Sequence, residues 1–218
     1  MKITIGVTCC LLCLCLVGAL GQPTRYAASH TPTLALSLAA AQGEKRENEK
    51  FSALAYLPSG AGRRMVGAGS TANIDLYIND YTGDEEAKAL AGSLLDGGPN
   101  VLLKALEKRD AIGKITLSGR VGFYDLKLIR SHKTHGGRQI YAVGDRPMGF
   151  LELYYSGISR DYEFGILMLD LKKNKKGIEE GQGTLIYAAK IKVLKDKKIE
   201  LENYGVQPVR LMGVRKLT

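Results

Sequence analysis

From Lys50 onward, apolar residues recur mostly at every second position, the spacing of strands that bury one face. Phe51 to Leu57 is a first such segment, ended by Pro58. Ile74, Leu76 and Ile78 alternate with Asn73, Asp75, Tyr77 and Asn79 and predict a half-buried strand. Further strands are expected at Ile115 to Leu117, at Tyr124-Leu126-Leu128, at Ile140 to Val143 and at Phe150 to Tyr155. Tyr162 to Leu171 is apolar on both faces, so it belongs at the sheet centre, covered on both sides by the helices. His135-Gly136-Gly137-Arg138 and Asp145-Arg146-Pro147 are expected turns, and Glu179-Glu180 an exposed loop.

The final hairpin predicts its own register. Ile191 and Val193 alternate with Lys190 and Lys192, and Ile199 and Leu201 with Glu200 and Glu202. With Lys195-Asp196-Lys197 as the loop, Val193 faces Ile199, Ile191 faces Leu201, and each lysine faces a glutamate. A slip of one residue would set apolar against charged side chains. Much of the lysine excess in this stretch is therefore structural.

One segment departs from the period of two. Thr82 and Glu85 have capping-box spacing, and Asp84, Glu85 and Glu86 suit the positive end of a helix dipole. Ala87, Leu90, Ala91, Leu94 and Leu95 then form a stripe at helical spacing. Gly97-Gly98 ends that helix, Pro99 suits the first turn of another, and Leu102, Leu103 and Leu106 give the second its face. The pattern predicts a mainly β (α+β) domain. About nine closely spaced antiparallel strands form a sandwich or barrel, with one inserted helical hairpin.

The leader differs from the rest. Lys2 precedes an apolar run from Ile3 to Leu20, and Val17, Ala19 and Gly21 are small residues suited to signal peptidase. Residues 1–21 are expected to be a signal peptide, cleaved after Ala19 or Gly21, with a retained anchor as the competing reading. The protein is then exported, periplasmic or secreted. All four cysteines, Cys9, Cys10, Cys13 and Cys15, lie in the leader, so the mature domain is cysteine-free. Residues 22–49 read as a flexible linker, with a second possible processing region at Ala39-Ala40-Ala41 and a charged coil from Gly43 to Lys50. Residues 50–218 read as one β-rich domain.

The chain has 218 residues, with 31 basic against 22 acidic side chains, a net charge of +9. That balance favours anionic partners, although acids and bases are interspersed. Gly60 to Gly69 holds four glycines around Arg63 and Arg64, but a strand rather than a helix follows it, which does not suit a phosphate loop. Arg63 and Arg64 remain candidates for gripping an anion. Asp145 and Arg146, with Arg160 and Asp161, form two polar loops ahead of apolar strands and are candidates either to brace the sheet or to rim a ligand site. His132 and His135 flank a turn without the further ligands a zinc site needs. No nucleophile elbow is present, paired carboxylates are unpersuasive, and no aromatic–basic interleaving suggests nucleic acid.

Asn79-Asp80-Tyr81-Thr82-Gly83-Asp84-Glu85-Glu86, Leu102 to Lys108, Asp145 to Leu153, Ser159-Arg160-Asp161-Tyr162 and Glu202 to Pro208 resemble a family of exported bacterial proteins of unknown function. The resemblance covers the domain from about Lys50 and implies export, with no activity or site residue attached. The expectation is a non-enzymatic binding or envelope-associated domain without a cofactor, taking a small ligand or an anionic envelope component. The alternatives are an extracytoplasmic hydrolase, or an anion or membrane-surface binder using the lysine-rich strands of Lys172 to Lys198. The membrane is met only through the signal segment.

Overall fold

The computed structural model of the chain describes residues 48–56, 71–118, 122–148, 161–194, 198–203 and 208–217. All lie in the second of two compact units into which the chain divides, Thr31–Thr218. The leader, most of the linker, the Gly60–Gly69 loop and the strand expected over Phe150 to Tyr155 fall outside the described residues.

Among the described residues, ten antiparallel strands and two helices follow in the order β1 (Glu49–Tyr56), β2 (Thr71–Ile78), α1 (Asp84–Gly97), α2 (Pro99–Glu107), β3 (Gly113–Leu117), β4 (Phe123–Leu126), β5 (Leu128–Thr134), β6 (Gly137–Gly144), β7 (Phe164–Lys173), β8 (Glu179–Val193), β9 (Ile199–Asn203) and β10 (Val209–Leu217). Nine run side by side as β4-β3-β2-β1-β10-β8-β7-β6-β5 and curl into a nearly closed barrel, while β9 pairs only with the far end of β8. The two edge strands, β4 and β5, are consecutive in the chain. The connecting residue, Lys127, donates its backbone N–H to the Val143 carbonyl of β6 at 2.9 Å, so the covalent chain itself spans the seam.

That seam corrects the expected single strand over Tyr124 to Leu128. Leu126 belongs to the barrel interior and Leu128 to the cluster under the helices, although they are only two positions apart. A continuous strand would point both to the same face. The break at Lys127 lets them serve opposite faces.

Alternation sorts the remaining strands into two cores. Phe51, Ile74, Leu76, Ile115, Ile140, Leu169, Leu185 and Leu211 point inward and fill the barrel. Outside it, Leu90, Leu94, Leu102 and Leu106 of the helical hairpin cover Leu128, Tyr141, Val143, Phe164, Ile166 and Ile191. This explains why β7 is apolar on both faces. The helices cover one side only; the other is the barrel interior, not a second helical layer as expected.

The helix start is also shifted by one residue. Gly83 takes the N-cap position, and the Glu86 carboxylate accepts from the Gly83 N–H at 3.4 Å. Thr82 instead belongs to a tertiary contact. Its N–H donates to the Ile129 carbonyl at 2.9 Å, and its hydroxyl accepts from the Ile129 N–H at 3.1 Å. Arg130, 1% exposed, donates to the Thr82 carbonyl (2.5 Å) and to Asp84 Oδ1 (2.6 Å), fastening the start of α1 to β5.

The β8–β9 pairing has the expected register, with Val193 opposite Ile199, Ile191 opposite Leu201, Lys192 opposite Glu200 and Lys190 opposite Glu202. The ion pairs do not follow the register, however: one runs diagonally and the other leaves the hairpin. Lys192 Nζ meets Glu202 at 2.5 Å, and Lys190 meets Asp161 at 3.3 Å. Among the described residues no helix is long and apolar enough to cross a membrane.

Because Leu106 is fully buried against the barrel, Leu106→Ala should lower unfolding stability by about 2–5 kcal/mol. Urea unfolding followed by circular dichroism measures this, as a lower midpoint at an unchanged slope.

Candidate functional site

The inward face of the barrel is apolar until its last layer. There, successive strands end their inward rows on charge: Glu49 before Phe51 on β1, Lys133 on β5, Arg138 before Ile140 on β6, Lys173 after Leu171 on β7, Glu179 on β8 and Lys216 after Val214 on β10. The register makes this layer unavoidable, since Lys133 pairs with Arg138, Lys173 with Glu179, and Phe51 with Lys216.

At its centre lies the Arg138 guanidinium, 3% exposed. Nε donates to Glu179 Oε1 at 2.8 Å and Nη2 to Glu179 Oε2 at 2.5 Å. Nη2 also reaches both oxygens of Glu49, at 2.9 and 3.1 Å, and Nη1 donates to the Tyr81 hydroxyl at 3.0 Å. Tyr81 in turn donates to Glu49 Oε2 at 2.5 Å, and Lys216 Nζ to Glu49 Oε1 at 2.7 Å. The Arg138 guanidinium also lies 5.7 Å from the centre of the Phe51 ring, a cation–π contact at the top of the core. Two carboxylates and two cations balance, and a neutral phenol completes the set.

The electrostatics follow from this pairing. Burial pushes the Glu49 carboxyl up, but hydrogen bonds from Arg138, Lys216 and Tyr81 outweigh it and hold it below its usual range. Burial raises the Tyr81 phenol well above its ordinary value; Arg138 opposes the rise and Glu49 adds to it. For Arg138, burial acts downward, yet the bonds to Glu179 and Glu49 prevail and raise its affinity for the proton. At neutral pH these three groups are therefore fixed as carboxylate, phenol and guanidinium.

Over this layer opens a cavity of about 990 Å³. Two turns shape it. In β5–β6, Gly136 has a φ of +100°, and in β7–β8 Gly177 has +76°, a region that glycine enters without steric cost. Asn174 Oδ1 holds the second turn by accepting from the N–H groups of Lys176 (2.9 Å) and Ile178 (3.1 Å). Lys133, Arg138, Lys173, Lys176 and Lys216 line the cavity against Glu49 and Glu179, five positive groups to two negative. The opposite end of the barrel differs: fully buried Met148 joins the inner core there, and its N–H donates to the Tyr187 carbonyl at 2.7 Å.

The residues singled out from sequence do not assemble here. Asp145 is 3.9 Å from Lys127 Nζ; Arg146 stacks 5.3 Å from the centre of the Tyr124 ring; Asp161 pairs with Lys190. All three sit at the end of β6 and β7 away from the cavity and are absent from its lining. Arg63, Arg64 and Arg160 lie outside the described residues.

Conversely, three residues assigned to irregular structure make the site. Arg138, expected in a turn, is the second residue of β6; only His135 and Gly136 turn. Glu179, expected in an exposed loop, begins β8, and Glu49, expected at the end of a solvated linker, begins β1. For Arg138 and Glu49 the one signal available was their position two residues before an alternating apolar run; Glu179 is set apart from Leu185 by Gly181 and Gly183 and carried no such signal. Lys190 and Lys192 of the last hairpin are ion-paired, whereas Lys173 and Lys176, from the same basic stretch, face the cavity.

Away from the cavity, Tyr77 lies between Lys50 and Lys114, at 5.0 and 5.2 Å, and Lys114 also approaches the Phe123 ring at 5.5 Å. The aromatic–basic interleaving missing along the chain is thus built across strands. These lysines are engaged by the rings, and Lys50 additionally by Asp75 at 3.7 Å.

Among the described residues, no group of three or more His, Cys, Asp or Glu is arranged to hold a metal ion. No protein-family model, curated protein or solved structure matches the chain.

Removing the central cation takes the shared partner from buried Glu49 and half-buried Glu179, so Arg138→Met should cost about 3–5 kcal/mol in denaturant unfolding. Glu49 titrates below its ordinary value of 4.5, so the folded state binds fewer protons than the unfolded state in mild acid. Its contribution is complete above pH 4.5 and is lost as the pH falls through the lower, folded value. Unfolding curves taken across that range should show Glu49→Gln less stable at neutral pH, with a shallower decline on acidification.

Proposed function

We propose that this is a non-enzymatic binding domain working outside the cytoplasm, with the barrel-end cavity as its ligand site. The observation that carries this is an open cavity on a rigid floor whose buried charges already satisfy one another. The volume, about 990 Å³, is at the upper end of small-molecule sites. General acid–base catalysis asks for a group poised near the working pH. Glu49 and Tyr81 are displaced away from neutrality in opposite directions, which suits a floor and not a hydrolytic pair.

Export rests on the leader: Lys2, the apolar run to Leu20 and the small residues at Val17, Ala19 and Gly21. Glu49 adds a structural limit. Because it completes the buried layer, any processing, including one near Ala39-Ala40-Ala41, has to leave residue 49 in place. The protein purified from its own host should therefore begin after Ala19 or Gly21, or at latest before Glu49, by intact mass. Full-length protein with Met1 in the cytosolic fraction would overturn the location.

For the ligand site, the full-length chain is screened by amide NMR against a mixture of neutral, anionic and cationic small molecules. Shifts should cluster at Gly136, Gly137, Gly177 and Ile178, which line the cavity. Binding confined to other surfaces, or none from any compound, would refute this assignment.

A further inference from the structure

We infer that the cavity selects a compact oligoanion, a small molecule bearing at least two carboxylate or phosphate groups, gripped chiefly by Lys173 and Lys176. This rests on the cavity being the ligand site and adds the chemistry of what enters it.

Cancellation of charges decides which groups remain to act. Arg138 already donates from Nε, Nη1 and Nη2 to protein oxygens, so it is part of the floor and not the hand that takes a ligand. Both oxygens of Glu49 and both of Glu179 accept from Arg138, and Glu49 accepts from Lys216 as well. A cationic ligand would find these carboxylates occupied. Among the described lining residues, cations outnumber carboxylates five to two.

Lys173 and Lys176 carry much of that excess. Both are exposed, and neither lies within ion-pairing distance of a described carboxylate. Lys173 stands in register with Glu179, but that glutamate is committed to Arg138. Lys176 projects from the turn that Asn174 holds, so its backbone is placed before any ligand arrives. Such placement lowers the ordering cost of binding. Across the mouth, Lys216 is 37% exposed and shared with Glu49. Cations on β7, its turn and β10 are thus spread around one opening, a pattern answered better by a molecule with separated anionic groups than by a monoanion. Lysine ammonium groups are point charges that do not demand a planar partner. They select charge rather than the geometry of one oxyanion, so carboxylate and phosphate are left for the probes to separate.

The test titrates full-length protein with pyrophosphate, citrate, trehalose and spermidine, following the amides of Gly136, Gly177 and Ile178. Pyrophosphate or citrate should bind saturably, and the tighter of the two identifies the preferred oxyanion. Affinity should drop at least about ten-fold in K173Q/K176Q and should also fall between about 0.02 M and about 0.5 M salt, as screening requires. Lys104→Gln, on α2 and outside the cavity lining, should leave it unchanged. Circular dichroism shows whether each variant is folded. Silence of both anions at the cavity, or equal affinity in K173Q/K176Q, would overturn the inference. Trehalose or spermidine binding at these amides in their place would also overturn it while leaving the cavity as the ligand site. If no compound of the mixture or of this set reaches the cavity, the binding reading itself fails.

Discussion

A charged group withdrawn from water has to be met by partners on every side, and Arg138 imposes that requirement on the end of this barrel. Its guanidinium is satisfied by Glu179, Tyr81 and Glu49, which lie 41, 57 and 89 residues away in the chain. Through Glu49 the set extends to Lys216, so β1, β6, β8, β10 and the segment after β2 meet at one point. The layer also fixes register. A one-residue shift of β6 would turn Arg138 out of the barrel and leave buried Glu49 and half-buried Glu179 without their common cation.

The same layer divides the barrel into a filled part and an open part. Below it, alternation supplies Phe51, Ile140, Leu169 and Leu211 to a filled interior. Above it, lysines stand around an open space. The floor is electrically balanced; the rim is positive.

The helical hairpin supports this arrangement from outside. It covers β5 to β8 and gives β7 a core on each face. Arg130 fastens the hairpin to β5 through Thr82 and Asp84, much as Arg138 fastens the strands to one another. The two buried arginines thus act on opposite faces of adjacent strands, one holding the cover and the other the barrel end.

The chain's own pattern determined the strands at Ile74–Ile78 and Ile140–Val143, the helical pair with its glycine break, and the register of β8 on β9. These depend on neighbours in sequence or on a hairpin whose slip would set charge against hydrocarbon. Local pattern could not decide what Arg138, Glu179 and Glu49 do. Arg138 and Glu49 are charged residues at the end of an apolar alternation, and that looks the same whether the strand has stopped or has reached the rim of a barrel; Glu179 is set apart from Leu185 by two glycines and has no apolar run beside it. The split of Leu126 from Leu128 was hidden for a related reason, since it arises from closure of the sheet and not from any breaker residue. Only the tertiary structure brings those ends together, because barrel closure sets residues tens of positions apart side by side, and burial then makes their pairing obligatory.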